Sequence, residues 1–266
     1  MNGIDEFYKN ALDIVQQAGK ILKHGFYSAK DISTKLNEND FVTEYDKLIE
    51  KTIIDSLLKL YPNHKFIAEE SAAQNILTNE PTWILDPIDG TTNFINKFPF
   101  CCISLALAVE YDLQIGIVYN PILDQLFTAQ KGKGAFMNNN KIHVNSTNDL
   151  KKAMVGFDIY CSVDEQIKQF FLKKCEEIMK TCRGIRSLGS AAMQLSYLAM
   201  GAIDVCPEMR YLKCWDVVAG ILLIQEAGGI VLDSEGKFRH IYKNIMDANI
   251  IPACTRKLAE DIKNLK

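Results

Sequence analysis

Two short apolar segments that each run directly into an acidic residue place the strongest constraint on the fold. Residues 65–68 are followed by Glu69, and residues 83–85 are followed by Asp86. Short apolar runs of this kind predict buried strands. One carboxylate after a strand is an ordinary polar terminus, but two such strands predict a ligand site at one edge of an α/β sheet.

Helical patterns precede these strands. Apolar residues recur every three or four positions over residues 5–24, which predicts a helix ended by Gly25. Thr43 and Asp46 predict a capping box for a second helix, which Pro62 stops. The apolar face of this second helix is predicted to contain Leu48, Ile49, Ile53, Leu57 and Leu60.

The middle of the chain predicts an antiparallel meander. Its β-rich runs are residues 101–111, 114–119 and 125–129, with connections at 112–113 and 120–121. Residues 131–134 (KGKG) lack the spacing of a phosphate loop and predict a hairpin turn. The elements predicted beyond it are further strands at 135–136 and 141–144, a strand at 153–157, helices at 164–182 and 189–200, a strand at 203–205 and a buried helix at 215–227.

Composition excludes several classes of protein. Hydrophobic residues make up 48% of the chain and charged residues 24%, which is typical of a folded α/β protein. The net charge of −3 argues against nucleic-acid binding. The longest nearly apolar run, residues 101–109, is too short to span a bilayer, and the N-terminus lacks a signal pattern. The eight cysteines contain no C-x-x-C pair and the four histidines are scattered, so we expect a cytoplasmic protein without zinc.

The segment at residues 83–94 (WILDPIDGTTNF) carries the clearest chemical signal. Asp86 and Asp89 are predicted to flank a rigid turn in which Ile88 offers its carbonyl and Gly90 allows a sharp exit. Mg²⁺ prefers such oxygen ligands. An Asp-Pro turn followed by a Gly-Thr cap is the alternative, and it would be preferred if Glu69 did not lie just upstream.

Together with other segments, this string resembles the inositol monophosphatase family, the lithium-sensitive magnesium-dependent phosphatases. The similar segments are DFVTEYD (40–46), FIAEES (66–71), WILDPIDGTTNF (83–94), GIRSLGSAA (184–192), WDVVAG (215–220) and EAGG (226–229). The resemblance implies a five-layered α-β-α-β-α sandwich. It divides the chain into an N-terminal half, residues 1–150, with most metal ligands, and a C-terminal half, residues 151–266, packed as one compact unit. It also implies a homodimer.

The resemblance implies a set of metal ligands and catalytic residues. Glu69, Asp86 and the Ile88 carbonyl would hold one Mg²⁺; Asp86, Asp89 and Asp216 would hold a second. A third ion would lie near Glu70, and Li⁺ would inhibit by occupying a magnesium position. Catalysis is assigned to Glu69, to Thr91, which positions the attacking water, and to Asp46, the hydrogen-bonded partner of Thr91. The structural alternatives are helix caps by Thr91 and Asp216 and the capping box of Asp46.

The resemblance also implies substrate contacts. Backbone N–H groups of Gly90 and Thr91 would bind the phosphate. The remaining contacts would come from Asp89, Gly189, Ser190, Ala191, Glu208 and Asp216, with Lys35 near the mouth of the site. Ser190 is equally well explained as a helix cap. The segment at residues 208–214 is one residue longer than in animal members of the family, which weakens the case for Glu208.

The sequence therefore favours hydrolysis of a myo-inositol monophosphate. A related small-molecule phosphatase, acting on fructose 1,6-bisphosphate or a nucleotide 3′-phosphate, is the first alternative. A non-catalytic binding protein is the second, and the presence of every acidic ligand argues against it.

Overall fold

The chain forms a mixed α/β structure, with five consecutive strands near its middle. The computed structural model describes residues 3–29, 32–34, 41–71, 77–158, 164–207, 209, 212–237 and 248–265. The helices are α1 (Gly3–Tyr27), α2 (Glu44–Leu60), α3 (Thr91–Ile95), α4 (Glu165–Thr181), α5 (Ala191–Ala199), α6 (Cys214–Glu226) and α7 (Arg256–Lys263). The strands are β1 (Ile32–Thr34), β2 (Phe41–Thr43), β3 (Lys65–Ala68), β4 (Thr82–Asp89), β5 (Cys102–Val109), β6 (Asp112–Asn120), β7 (Gln125–Gln130), β8 (Gly134–Met137), β9 (Asn140–Ile142), β10 (Met154–Gly156), β11 (Gly184–Arg186), β12 (Ile230–Asp233) and β13 (Ile250–Ala253).

The main sheet contains β3 to β9 in chain order. β3 is parallel to β4, and each later pair is antiparallel, which confirms the predicted meander and the hairpin at residues 131–134. Since β3 and β4 run in the same direction, their carboxyl ends meet at one edge. The N–H of Glu69 donates to the carbonyl of Leu85 there, at 3.2 Å. The two acidic strand ends are therefore neighbours.

Both faces of the main sheet are covered by helices, because β4 and its neighbours alternate their apolar side chains between two cores. Trp83 and Leu85 share a core with α1 and α2. Ile84 points the other way, into a core built with α5 and α6. The strand is buried along its whole length, including its polar residues Thr82, Asp86 and Asp89.

A second, smaller sheet packs against the far side of α5 and α6. β10 pairs with β11 and β12 pairs with β13, and Val205 bridges to both Val155 and Ala253, which joins the two pairs. α4 and α7 cover the outer face of this sheet through Phe171, Ile178, Leu258 and Ile262. The layers follow the order α-β-α-β-α, so the predicted fold is confirmed. None of the described helices combines the length and the hydropathy needed to cross a bilayer.

The structure corrects one predicted helix boundary and one predicted apolar face. α1 continues past Gly25 to Tyr27. A Cβ at Gly25 would lie 2.6 Å from the Tyr45 ring. The glycine therefore permits close packing of α1 against α2 and does not end the helix. The apolar face of α2 is also narrower than predicted, since Leu48 and Leu60 are 47% and 49% exposed.

Strand boundaries also differ from the sequence prediction. The turn between β5 and β6 lies at Glu110 and Tyr111, with φ of 51° and 63°, and residues 112–113 belong to β6. Asn120 likewise belongs to β6. Residues 203–205 contribute only the isolated bridges of Val205.

Candidate active site and metal centre

Asp86 and Asp89 lie in a bulged end of β4, and the predicted Asp-Pro turn is wrong. Asp86 pairs with Ser104 and Asp89 pairs with Cys102, so one extra residue is inserted in β4 relative to β5. Residues three apart in a regular strand face opposite sides, and the inserted residue cancels this alternation. Both carboxyl groups are buried and close together. A bulge is also a position where a strand tolerates Pro87.

Asp216 reaches this pair from the third position of α6. Its Oδ2 accepts the N–H of Lys213 at 2.6 Å, which caps the helix, as one of the sequence alternatives predicts. The hydroxyl of Ser104 donates to the carbonyl of Trp215 at 3.1 Å and fixes the start of α6 on β5. Because Ser104 is also the strand partner of Asp86, oxygen atoms of Asp86, Asp89 and Asp216 all lie within 4.8 Å of one another.

Glu69 completes an acidic cluster. It follows β3, and its carboxyl group is hydrogen-bonded to that of Asp86. Burial, followed by repulsion from Glu69, Asp89 and Asp216, raises the pKa of Asp86 far above its usual range. Burial also raises the pKa of Asp89 to about 6 and that of Asp216 to about 8. These carboxyl groups repel one another in a site from which water is largely excluded.

This cluster fits a divalent cation. Four carboxyl groups offer only oxygen ligands, which hard cations such as Mg²⁺ and Ca²⁺ prefer over softer metals. A bound cation would compensate both the repulsion and the loss of hydration of the carboxylates. The structure brings together Asp86, Asp89 and Asp216 of the predicted ligands, with Glu69 in contact with Asp86.

Thr91 and Asp46 are in contact, as the resemblance implies. The Asp46 Oδ2 atom accepts the N–H and the hydroxyl of Thr43, at 2.7 and 2.6 Å, which forms the capping box of α2. Its Oδ1 atom faces the Thr91 hydroxyl at 3.4 Å, and this hydroxyl also donates to the carbonyl of Ile88 at 3.0 Å. Thr91 is therefore linked to both Asp46 and the bulge of β4.

The Gly90 backbone makes a close approach to the loop before α5. Gly90 has a φ of 87°, and a Cβ there would lie 2.8 Å from the carbonyl oxygen of Phe100 and 3.2 Å from that of Gly189. The glycine is required by both conditions. α3 begins immediately afterwards at Thr91.

Ser190 and Ala191, at the start of α5, contact the carboxylate of Asp89. Ser190 caps α5 by accepting the N–H of Met193 at 3.3 Å, and its hydroxyl donates to Asp89 Oδ2. The N–H of Ala192 donates to the same oxygen at 2.8 Å, and that of Ala191 is hydrogen-bonded to the same carboxylate. The start of α5 therefore holds one side of the Asp89 carboxylate, and Ser190 is 2% exposed. A contact of either residue with substrate stays a prediction.

Sequence reasoning gave no role to three residues that shape the site. Ser104 anchors α6, Asn93 donates to the loop before α5, and Asp158 accepts from the same loop. Each is an ordinary polar residue in the sequence. Asn93 and Ser104 fall inside segments that we singled out, at residues 83–94 and 101–111, but neither pattern indicates these contacts. Glu70, the residue assigned to a third ion, donates its N–H to Glu50 at 2.8 Å. Lys35 and Glu208 lie outside the described residues.

Comparison with known proteins agrees with this arrangement. Residues 4–265 match the model of the inositol monophosphatase family. The chain is 43% identical over 237 residues to inositol monophosphatase 2 of Solanum lycopersicum, covering 88% of this chain and 89% of that protein. An IMPase structure from Thermotoga maritima superposes with a TM-score of 0.86 at 29% identity, covering 100% of this chain and 96% of the other.

A third comparison is with a structure of SaIMPase-II bound to inositol monophosphate. It has a TM-score of 0.80 and 26% identity, and it covers 97% of this chain and 92% of the other. The family match extends over almost the whole sequence. The chain therefore belongs to the inositol monophosphatase family.

Proposed function

We propose that this protein is a magnesium-dependent phosphatase that hydrolyses myo-inositol monophosphates to myo-inositol and phosphate. The observation that carries the proposal is the approach of Asp86, Asp89 and Asp216 within 4.8 Å in a chain of this family. Glu69, Asp86, Asp89, Asp216 and the carbonyl of Ile88 would hold the ions. Bound Mg²⁺ supplies positive charge for the phosphoryl group and lowers the pKa of water.

The protein's own groups would orient the reacting water. Thr91 Oγ1 lies between Ile88 O and Asp46 Oδ1, at 3.0 and 3.4 Å, so its hydroxyl proton has two acceptors. Its lone pairs stay available to accept a hydrogen bond from water. Asp46, which is 0% exposed, fixes the orientation of this hydroxyl. We therefore assign the positioning of the water to Thr91, with Asp46 as its support, and include Glu69 among the catalytic residues.

Substrate binding would use the two loops that meet at Gly90. The N–H groups of Gly90 and Thr91 would donate to the phosphate. Asp89, Asp216 and residues 189–191 would contact the polyol, and Glu208 is proposed from the resemblance alone. The close packing of Gly90 against Gly189 supports this arrangement, since it brings the proposed phosphate and polyol contacts next to each other.

Replacement of Asp86 tests the proposal. Purified wild-type protein is expected to release phosphate from inositol 1-phosphate with Mg²⁺ and not with EDTA. Asp86→Asn should lose at least about 100-fold in kcat, because it removes a ligand of the Mg²⁺ that would stabilise the negative charge of the transition state. Asp204→Asn is the matched control: Asp204 is also a buried carboxyl, but it accepts hydrogen bonds from Met154 and Asn145 outside the cluster.

Two results would contradict the proposal. An Asp86→Asn protein with wild-type activity would remove the acidic cluster from the mechanism. A wild-type protein that prefers fructose 1,6-bisphosphate or a nucleotide 3′-phosphate over inositol 1-phosphate in the same assay would keep the mechanism and replace the substrate.

Family membership supports four wider proposals. We propose that Li⁺ inhibits the protein, which the phosphate-release assay measures, and that the protein forms a homodimer, which light scattering measures. We also propose a cytoplasmic location, which fractionation tests, and a division of the chain into halves at residue 150. The last is supported by the source of the ligands, because Glu69, Asp86 and Asp89 precede residue 150 and Asp216 follows it. Limited proteolysis near residue 150 tests the division.

A further inference from the structure

Asp158 holds the loop that leads into α5. This residue follows β10 in the second sheet, and its Oδ1 atom accepts three hydrogen bonds. The donors are the hydroxyl of Ser187 at 2.9 Å, the N–H of Leu188 at 2.7 Å and the N–H of Gly189 at 3.0 Å. One carboxylate oxygen thus fixes three consecutive residues.

Asn93 holds the same loop through the loop's carbonyl groups. Its Nδ2 atom donates to the carbonyl of Leu188 at 2.7 Å and to that of Gly189 at 3.2 Å. Asn93 belongs to α3, next to the bulged end of β4. The loop is therefore held through its N–H groups by the second sheet and through its carbonyls by the helix that follows β4.

The shape of this loop determines where the start of α5 lies. Ser190, the next residue, donates to Asp89, and the N–H of Ala192 donates to the same carboxylate. Gly189 also contacts the Gly90 backbone. A small displacement of residues 187–189 would therefore move Gly189, a proposed polyol contact, while Asp89 stays bound to Ser190 and Ala192. Asp86 and Asp216 are held by separate contacts to Ile88 and Lys213.

We infer that Asp158 is a positioning residue for substrate specificity, which shapes the loop at residues 187–190 so that the start of α5 binds the polyol part of the substrate. This inference rests on the proposed function, because it assigns a role in the same site. Asp158 acts through the loop and is not a catalytic residue.

The kinetic test compares a substrate that has the ring with one that lacks it. In Asp158→Ala, KM for inositol 1-phosphate should rise about tenfold or more, because misplaced binding groups are costly. Its kcat for inositol 1-phosphate, and both kinetic parameters for glycerol 2-phosphate, should change by less than about threefold. A rise in KM with unchanged kcat indicates a loss of substrate binding. Asp158→Asn keeps an oxygen acceptor and should restore most of the affinity.

Asp164→Ala is the matched control. Asp164 accepts hydrogen bonds from the N–H groups of Gln166 and Ile167 at the start of α4, at 2.8 and 3.1 Å. The Asp164→Ala variant therefore also loses backbone hydrogen bonds to a carboxylate, but away from the acidic cluster. It should leave KM for both substrates unchanged. An equal loss with both substrates in Asp158→Ala, or an equal loss in Asp164→Ala, would overturn the inference.

Hydrogen exchange provides a readout that does not depend on activity. The amides of Leu188 and Gly189 should exchange slowly in the wild type, faster in Asp158→Ala and at an intermediate rate in Asp158→Asn. Unchanged exchange in Asp158→Ala would overturn the inference. Failure of the wild type to hydrolyse inositol 1-phosphate would instead refute the proposed function, so the two failures are distinguishable.

Discussion

His64 shows how one neutral side chain can join three elements. Its Nδ1 atom accepts the indole N–H of Trp83 at 3.0 Å, so this nitrogen carries a lone pair and no proton. The ring stacks on Tyr61, with centroids 4.8 Å apart, and meets the edge of Phe7 at the same distance. These contacts connect α1 and the end of α2 to β4, the strand that carries Asp86.

We predict that this contact makes stability depend on pH. Burial lowers the folded-state pKa of His64 below its ordinary value of 6.5, so the unfolded chain takes up the proton first as pH falls. The stabilisation from neutral His64 is complete above about pH 6.5 and is lost as pH falls toward the folded-state pKa. Urea unfolding of the wild type and His64→Gln from pH 7.5 to 5 should show curves that converge at low pH. Parallel curves would contradict this account.

Asp46 shows why residue roles were only partly predictable. The sequence offered a capping box or a partner for Thr91 as alternatives, yet the two carboxylate oxygens divide these contacts between them. Asp158 could not be identified, because its three donors come from residues 187–189, which follow the neighbouring strand β11 and are far from Asp158 in the sequence. Local patterns reveal contacts three residues apart, and they carry no information about contacts between strands that are distant in the sequence.

At the scale of elements, the bulge of β4 is the main difference from the sequence prediction. The strand that leads into Asp86 was predicted correctly. Asp-Pro also occurs in turns, and only pairing with β5 distinguishes a turn from a bulged strand. The choice matters, because a bulged strand keeps Asp86 fixed by the sheet. The acidic residues of the cluster were nevertheless identified. Glu69 and Asp86 directly follow apolar segments, Asp89 belongs to the Asp-Pro string, and Asp216 was implied by the family resemblance.

The hairpin at residues 131–134 also binds an anion, although not a phosphate. The N–H groups of Gly132 and Gly134 donate to the two carboxylate oxygens of Glu226, each at 2.8 Å. Glu226 is the last residue of α6, and Asp216 lies near the first. This contact therefore fixes the far end of the helix that brings Asp216 to the metal site.

Glu226→Ala should lower the free energy of unfolding by about 1–2 kcal/mol, because two hydrogen bonds to a partly exposed carboxylate are lost. Gln225→Ala, at the exposed neighbouring position, should change it by less than about 0.5 kcal/mol. Chemical denaturation of both variants measures the difference. Equal stability of the two variants would show that the hairpin contact does not anchor α6.

At the scale of the whole molecule, the acidic cluster joins elements that are far apart in the sequence. Asp86 and Asp89 end a strand of the main sheet, whereas Asp216 begins a helix between the two sheets. The close approach of these carboxyl groups is unfavourable without a cation, because burial and mutual repulsion raise their pKa values. A cation bound only by the folded chain should therefore stabilise the entire fold.

We predict that Mg²⁺ raises the unfolding temperature of the wild type, with a gain of about 2.7 kcal/mol at 100 times its dissociation constant. Asp216→Asn should lose most of this gain, and Asp204→Asn should keep it. The comparison is made within each variant, with Mg²⁺ and with EDTA, because Asp216→Asn also removes repulsion and so changes the starting stability. If Asp216→Asn gained as much from Mg²⁺ as the wild type, α6 would contribute no ligand, and the cation would be held by the main-sheet edge alone.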